Sequence, residues 1–433
     1  MPDGAGFFEP EIETMARANL DAFQRERLLE LLPYTYERSA LYREQWDMAG
    51  VKPAAVRSVE DFFERVPFSS KDAIRNFRDR TGDCYGGVLC IDPADLTSVT
   101  SSSGTTGDAT FFSDQWEVCS RLHAGYARPL WDIGVRPGDY CLGNATTFRG
   151  EVDSQYRLVG AVPLAVNTWM GNWAEVLQVI EHYRPTYGGF LGPILAELRH
   201  LEDKYDFQEL FSCFAGVSFA GEPMGSRMKR KIREDWGLEL FMYTSAGDTG
   251  TSWECHEHDG YHLWEDTVLV ECLRPGTNQP VPDGEIGELV VTALDDPVAP
   301  LVRYRTDDLV RLDRSTCACG RTHVRQWPVC RLGDETVVQG RAVTPTEVWA
   351  AIERLDETQA ALFQIIRPQR DIDQLRLRVG YDPDRTLDLA DVDERLRAVV
   401  FEAVGVEPTI ELLPEADILA RGSAAKVPRV VKS

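Results

Sequence analysis

Between about residue 100 and residue 250, short apolar runs and amphipathic stretches take turns along the chain, which restricts its fold more than any other feature. DYCLGNATT (139–147) and AVPLAVN (161–167) have the character of short buried strands. WAEVLQVIEHYRP (173–185) has helical spacing and closes at Pro185, and TYGGFLGP follows. FSCFAGVSFAGEP (211–223) reads as strand then turn, SRMKRKIREDWG (226–237) as a basic-faced helix, and LELFMYTSAG (238–247) as strand then loop. Strands alternating with helices in this way predict an α/β architecture with a mainly parallel sheet.

The texture differs on either side. RERLLELLPYTYERSALYREQW (25–46) carries a helical stripe at Leu28, Leu29, Leu31 and Leu32, which Pro33 is expected to stop. Ser58 is a candidate N-cap for a helix running to about Arg65, and Ser69 and Ser70 precede the next helix in the same way. WEVCSRLHAGYARPLWDIGV (116–135) is a helix ending near Gly134. From Tyr261 the pattern alternates, in YHLWEDTVLVECL, GEIGELVVTAL and PLVRYRTDDLVRL. Those segments predict antiparallel hairpins, one turned by Pro282-Asp283-Gly284. A break near Leu332–Gly333–Asp334 precedes a strand–helix–strand–strand–helix–strand series, capped at Thr344 or Thr346. The expected fold is a large N-terminal α/β domain (1–332) with mainly parallel sheets and a small antiparallel β subdomain. A small mobile α+β C-terminal domain (333–433) follows, its glycine-punctuated tail reading as a mobile terminus.

Composition excludes several classes. The 433 residues suit two or three domains. A net charge of −24 argues against a nucleic-acid backbone or an anionic membrane as partner. No apolar run reaches 18 residues, and the first twenty residues lack a signal-peptide pattern, so a cytoplasmic location is expected. Ten cysteines are scattered through the chain, and Cys84, Cys90, Cys119, Cys141 and Cys213 read as small buried hydrophobes.

Two clusters carry chemistry. In TSSSGTTGDATFF (100–112), Ser101, Ser102, Ser103, Gly104, Thr105, Thr106 and Gly107 supply hydroxyls and unhindered backbone N–H groups, as a phosphate-wrapping loop requires. It is not a Walker loop, since Asp108 stands where the lysine belongs, and a plain Ser/Gly linker is the alternative. In WECHEHDGYH, Cys255, His256, His258 and His262 crowd together, with Cys317 and Cys319 of CACG later in the chain. Thiolates and imidazoles are the ligands of a closed, structural zinc, and buried thiols beside surface histidines are the alternative.

Taken together, the chain resembles the adenylate-forming enzymes, and within them the phenylacetate–CoA ligase branch. The resemblance rests on SSGTTG (102–107), AGEPM (220–224), Tyr243 at a strand end, PDGEIGELVVT (282–292), RYRTDDLVRL (303–312), CACGRT (317–322) and the terminal Lys426 with Arg429 after it. SALYREQW and PFSSKDAIRN near the N-terminus match as well, so it runs from about residue 30 to the end. It implies that ATP activates a small-molecule carboxylic acid as an acyl-adenylate, which then passes to a thiol such as that of coenzyme A or of a carrier protein. An amine acceptor, or a family member without productive ATP chemistry, is the alternative, and a homodimer stays open. By the same resemblance, residues 101–107 hold phosphate oxygens, and Ala220, Gly221, Glu222 and Pro223 flank the adenine. Tyr243 stacks on the ring, Asp308 accepts from the ribose, Arg331 reaches ribose or phosphate, and Lys426 neutralises charge on the α-phosphate. The hinge falls at Gly333–Asp334.

The chain departs from the family after the stacking tyrosine. The usual Tyr-Gly-x-Thr-Glu run, whose glutamate holds magnesium, is here Tyr243-Thr244-Ser245-Ala246-Gly247. Either Asp248 takes the metal, with Thr244 or Ser245 supplying a hydroxyl, or ATP chemistry is weakened; a glutamate restored at Gly247 is expected to be tolerated. Phe148, Trp169, Phe219 and Gly247 are expected around a flat aryl acid. Relatives bearing zinc point to Cys255, His262, Cys317 and Cys319 as the ligand set, with His256 and His258 as substitutes.

Overall fold

The computed structural model describes residues 6–101, 111–114, 120–144, 152–166, 172–220, 224–245, 247–334, 336–367, 374–422 and 427–432. The expected phosphate loop (102–108), Phe148, Trp169, Gly221, Glu222, Pro223 and Lys426 lie outside the described residues. The chain divides into two compact units, residues 1–132 with 243–328, and residues 133–242 with 329–433.

The first unit begins with helices. Arg17–Arg38 runs straight through Pro33, against the expected stop. The proline gives up one backbone hydrogen bond, but Leu28, Leu31, Leu32 and Thr35 are buried around it, and packing outweighs that loss. The helix ends at Ser39, whose hydroxyl accepts from the Tyr42 amide and caps Ala40–Met48. Ser58 and Ser70 cap Val59–Arg65 and Lys71–Thr81 as expected, accepting from the amides of Asp61 and Ala73. An antiparallel sheet follows in the order Val268–Leu273, Ile286–Ala293, Tyr304–Asp313, Arg325–Arg331, Tyr261–His262, Thr251–Glu254 and then Leu240–Ser245. Pro282–Gly284 closes a turn before Ile286–Ala293, the Glu285 amide donating to the Pro282 carbonyl. The core joins sheet and helices through Leu28, Tyr42, Trp46, Phe62, Val291, Val302 and Tyr304.

The parallel sheet belongs to the second unit. Its order is Val162–Val166, Tyr140–Asn144, Tyr187–Leu191, Gly216–Ala220 and Leu240–Ser245, each parallel to its neighbour. Ser120–Ile133 ends at Gly134, and Trp173–Tyr183 ends on Arg184 in the left-handed region just before Pro185. The C-terminal body has a four-stranded sheet, ordered Pro408–Pro414, Leu375–Tyr381, Phe363–Arg367, Val430–Lys432. Two helices, Pro345–Ile352 and Leu389–Val404, pack on it around a core including Val348, Ile352, Phe363, Leu377, Leu396 and Val400. Thr344, not Thr346, caps the first of these, forming a reciprocal capping box with Glu347.

The described end of the tail, residues 427–432, is not the loose terminus that its composition suggests. Val427 is buried, and Val430–Lys432 adds a parallel strand beside Phe363–Arg367. The Arg429 guanidinium lies 4.2 Å from the Trp349 ring and 4.8 Å from the Phe363 ring, and donates to the Ala361 carbonyl. The stretch Val427–Lys432 is thus ordered by backbone pairing, one stacked cation and the burial of Val427 against Leu362 and Ile418. Among the described residues no helix is long and apolar enough to cross a membrane.

Buried arginines tie the first unit together. Arg128 is wholly buried and makes a bidentate pair with Asp266, both bonds 2.8 Å, with Glu9 as a second partner at 2.6 Å. Burial pushes the Asp266 carboxyl up, but the hydrogen bonds and charge of Arg128 outweigh it and hold the group below the usual carboxylate range. A depressed carboxylate contributes stability above its unfolded pKa and loses that contribution as pH falls through the folded value. Arg128→Met should therefore cost about 3–5 kcal/mol at neutral pH. Denaturation of both proteins should show this gap narrowing towards pH 3; a gap that is absent or independent of pH would count against the pairing.

Candidate functional site

The hairpin formed by the end of Leu240–Ser245 and Thr251–Glu254 carries most of the described candidates. Tyr243 lies opposite Trp253, and their rings stack at 4.1 Å with planes 10° apart. Tyr243 is thus a half-buried ring stiffened by a second aromatic, which suits a stacking platform. Thr244 and Ser245 follow, and the Ser245 hydroxyl accepts from the Asp248 amide at 3.0 Å, closing the turn. Gly247 and Asp248 both take the left-handed conformation, with φ of 62° and 65°. Aspartate tolerates that region better than most residues.

Gly247 is buried beneath the turn. A Cβ there would lie 2.3 Å from Thr306 Cγ2 and 3.2 Å from Val291 Cγ2. A glutamate restored at Gly247 therefore does not fit, contrary to the expectation from the family pattern: space and φ both require glycine.

Asp248 follows in the same turn and is half-buried. Its Oδ2 lies 3.2 Å from the Lys71 ammonium and accepts from the Tyr304 hydroxyl at 3.3 Å. Oδ1 has no partner among the described residues. Lys71 is brought there by sheet geometry. Ser69 and Ser70 pair in parallel with Tyr304 and Arg305, and Ser70 caps the helix whose first residue is Lys71. PFSSKDAIRN signalled the family, yet neither Lys71 nor Tyr304 was given a role from sequence; their contact depends on a strand pairing more than 230 positions apart.

Asp308 sits on an irregular strand. Glu288 pairs with Leu309 but Val290 pairs with Arg305, so the Tyr304–Asp313 strand carries extra residues at this point. Asp307 takes φ of 62° within it. Such a bulge re-aims side chains, and Asp308 is left half-buried with its amide donating to the Thr306 hydroxyl. The arginines of RYRT are structural: Arg303 makes a bidentate pair with Glu271 and lies 4.0 Å from the Phe68 ring. In the second unit, Arg331 ends its strand half-buried, and its carbonyl accepts from the Asp334 amide across Gly333, whose φ is 84°. Ala220 ends the Gly216–Ala220 strand, buried. Phe219 before it is 1% exposed and packed in the core, so it does not border an open slot as expected. Its register partner is Met242.

A cavity of about 10 Å³, room for one water, is lined by Gly125, Thr249, Gly250, Thr251, Trp264, Thr267 and Val268. Trp264 Nε1 has no protein partner among the described residues.

The cysteine–histidine set converges. Sγ of Cys255, Cys317 and Cys319 and a ring nitrogen of His262 all lie within 4.8 Å of one another, and all four residues are buried. Cys255 and Cys317 sulfurs are 3.9 Å apart, and Cys319 Sγ is 3.5 Å from His262 Nε2. A tetrahedron with metal–sulfur bonds of about 2.3 Å and a metal–nitrogen bond of about 2.0 Å has edges of about 3.8 and 3.5 Å. Nδ1 of His262 faces the His323 carbonyl at 3.4 Å, which orients Nε2 inward, and burial holds the imidazole below its ordinary pKa, in the neutral form a ligand needs. Hydrogen bonds from Cys255 and Cys319 push the Cys317 thiol towards thiolate. Arg321 lies 3.7 Å from Cys319 Sγ and offsets negative charge there. His256 and His258 turn elsewhere, to Asp132 at 3.0 Å and Glu254 at 3.3 Å.

Gly247→Glu should lower thermal stability by about 1–3 kcal/mol through overpacking and backbone strain. An unchanged melting temperature in a scanning-calorimetry comparison would refute the packing described for Gly247.

No protein-family profile matches the chain. A phenylacetate–coenzyme A ligase of Thermus thermophilus is 30% identical over 454 aligned residues, covering 98% of this chain and 99% of the relative. A 2-hydroxyisobutyryl-CoA ligase solved in its postadenylation state with an acyl-AMP superimposes with a TM-score of 0.86 at 24% identity, over 100% of this chain and 94% of the other. The same ligase in its thioesterification state gives 0.70 at 23% identity, over 100% and 93%. These structures share the α/β fold described above. Matched end to end at 30% identity to its curated relative, the chain belongs to the phenylacetate–coenzyme A ligase family of adenylate-forming enzymes.

Proposed function

We propose that this protein is an acid–CoA ligase that activates a small, aromatic carboxylic acid with ATP. The observation that carries the reading is the full-length match to a phenylacetate–coenzyme A ligase, with the stacked Tyr243 and the carboxylate of Asp248 on one hairpin. In the first half-reaction an oxygen of the acid attacks the α-phosphorus of ATP and pyrophosphate leaves. In the second, the thiol sulfur of coenzyme A attacks the acyl carbon, its proton is lost to solvent, and AMP leaves. A carboxylate is a poor electrophile because its leaving group is an oxide; the adenylate replaces that group with a phosphate, and the protein's work is positioning and charge stabilisation.

The residues divide that work as follows. Tyr243, backed by Trp253, offers a ring face for adenine, and Asp308 a carboxylate for the ribose hydroxyls. Lys71 supplies near the turn the cation that the 102–107 loop lacks with Asp108 after it. Lys71 and Tyr304 both grip Oδ2 of Asp248. That arrangement fits a magnesium ion on Oδ1, because magnesium keeps most of its waters and takes few protein oxygens beside substrate phosphates. Lys426 is proposed to neutralise the α-phosphate. The Cys255, His262, Cys317 and Cys319 set is proposed to hold one structural zinc, since four protein ligands leave no open position. Cytoplasmic residence is part of the same proposal.

Acid-dependent pyrophosphate release tests the reading. Benzoate- or phenylacetate-like acids should support it and palmitate should not; Asp248→Ala should slow it on the order of a hundredfold. Release with palmitate above that with every aryl acid would overturn the substrate class. Release untouched by Asp248→Ala would overturn the site.

The metal is tested separately. Purified protein should contain about one zinc per chain. Cys317→Ser should lower both zinc content and melting temperature, while a folded, zinc-free preparation of the wild type would reject the site.

A further inference from the structure

We infer that Glu353, Gly225 and Arg199 are positioning residues that hold the C-terminal body in one of two working arrangements, an inference that rests on the two half-reactions proposed above. All the groups concerned lie within the second compact unit. The helix Ser226–Glu234 has Gly225 at its N-cap and so has no side-chain cap of its own. Glu353, from the end of Pro345–Ile352, supplies one. The Ser226 hydroxyl donates to Glu353 Oε1 at 3.1 Å and the Arg227 amide donates to Oε2 at 3.2 Å. The service is returned: the Arg227 guanidinium donates to the carbonyls of Glu353 and Arg354, at 3.1 and 3.0 Å, where Pro345–Ile352 leaves its last acceptors unsatisfied. Each helix end therefore completes the other, with charges of the sign each helix dipole favours.

Gly225 is what lets the two approach. Its φ is −68°, open to any residue, yet a Cβ would lie 1.8 Å from Glu353 Oε2 and 2.2 Å from Trp349 Nε1. A second contact repeats the chemistry. Arg199, on the helix Gly192–Leu201, donates at 3.1 Å to Asp382 and at 3.1 Å to Glu415, both carboxylates on the C-terminal body and all three side chains buried. The core of that body is drawn from residues 338–430 alone. Buried ionic contacts contribute little net stability but are specific in geometry, and breaking one partner is costly. Such contacts suit a surface that has to fit closely in one arrangement and separate in another.

The test uses Gly225→Ala and Arg199→Met in the full-length enzyme. Pyrophosphate release and thioester formation from supplied acyl-adenylate with coenzyme A are measured separately. The expected result is that the ratio of the two rates changes at least tenfold, one half-reaction falling while the other holds or rises. Amide exchange at Arg227 should quicken in Gly225→Ala, with exchange across Phe363–Arg367 and Leu375–Tyr381 unchanged. Equal loss of both half-reactions, or unchanged exchange at Arg227, would overturn the inference. Should the wild type perform neither half-reaction, the functional reading fails on its own, and exchange at Arg227 still decides the docking.

Discussion

The first compact unit depends on arginines taken out of water only in company. Arg128 and Arg321 are both fully buried, and each is met by two carboxylates, Asp266 with Glu9 and Glu13 with Asp132. Neither pair could be dropped singly, because an uncompensated buried charge costs far more than the intact pair contributes. The pairs draw distant parts of the chain together. Glu9 and Glu13 come from the N-terminus, Arg128 and Asp132 from Ser120–Ile133, and Asp266 and Arg321 from the β-rich half. Cys319 lies one contact beyond Arg321, so the thiol cluster inherits its electrostatic setting from this network.

The same economy shapes the hairpin that carries the candidate site. Two successive left-handed residues make the turn tight, and Thr306 lies against Gly247 so closely that no side chain is admitted. What the backbone gives up in ordinary geometry it gains in placement, since Asp248 is fixed between Lys71 and Tyr304 rather than swinging on a loop. A carboxylate one position later than the family pattern is thus presented by a different backbone path.

Much of this was legible in the residues. The alternation over 100–250 specified a parallel sheet because strands with crossover helices admit little else, and Ser58 and Ser70 announced helix starts through chemistry local to each cap. Ligand chemistry alone left six thiols and imidazoles as candidates, and the resemblance to zinc-bearing relatives selected Cys255, His262, Cys317 and Cys319, the four that converge. What was not readable depended on distant partners. Pro33 stays helical because of what buries its neighbours, and the polar tail is ordered by a strand some sixty positions away. The clash at Gly247 comes from Thr306, and Lys71 meets Asp248 only through the pairing of Ser69–Ser70 with Tyr304–Arg305. None of these leaves a mark in local periodicity or spacing.

The paired final strand has a kinetic corollary. Val427 is buried, and Val430–Lys432 lies in parallel beside Phe363–Arg367. A loose end frays on its own and exchanges its amides almost at once, whereas a strand seated in a sheet is released only when that part of the sheet opens. The last strand of the C-terminal body therefore shares the opening rate of Phe363–Arg367, and the chain end is as long-lived as the core strand it lies against.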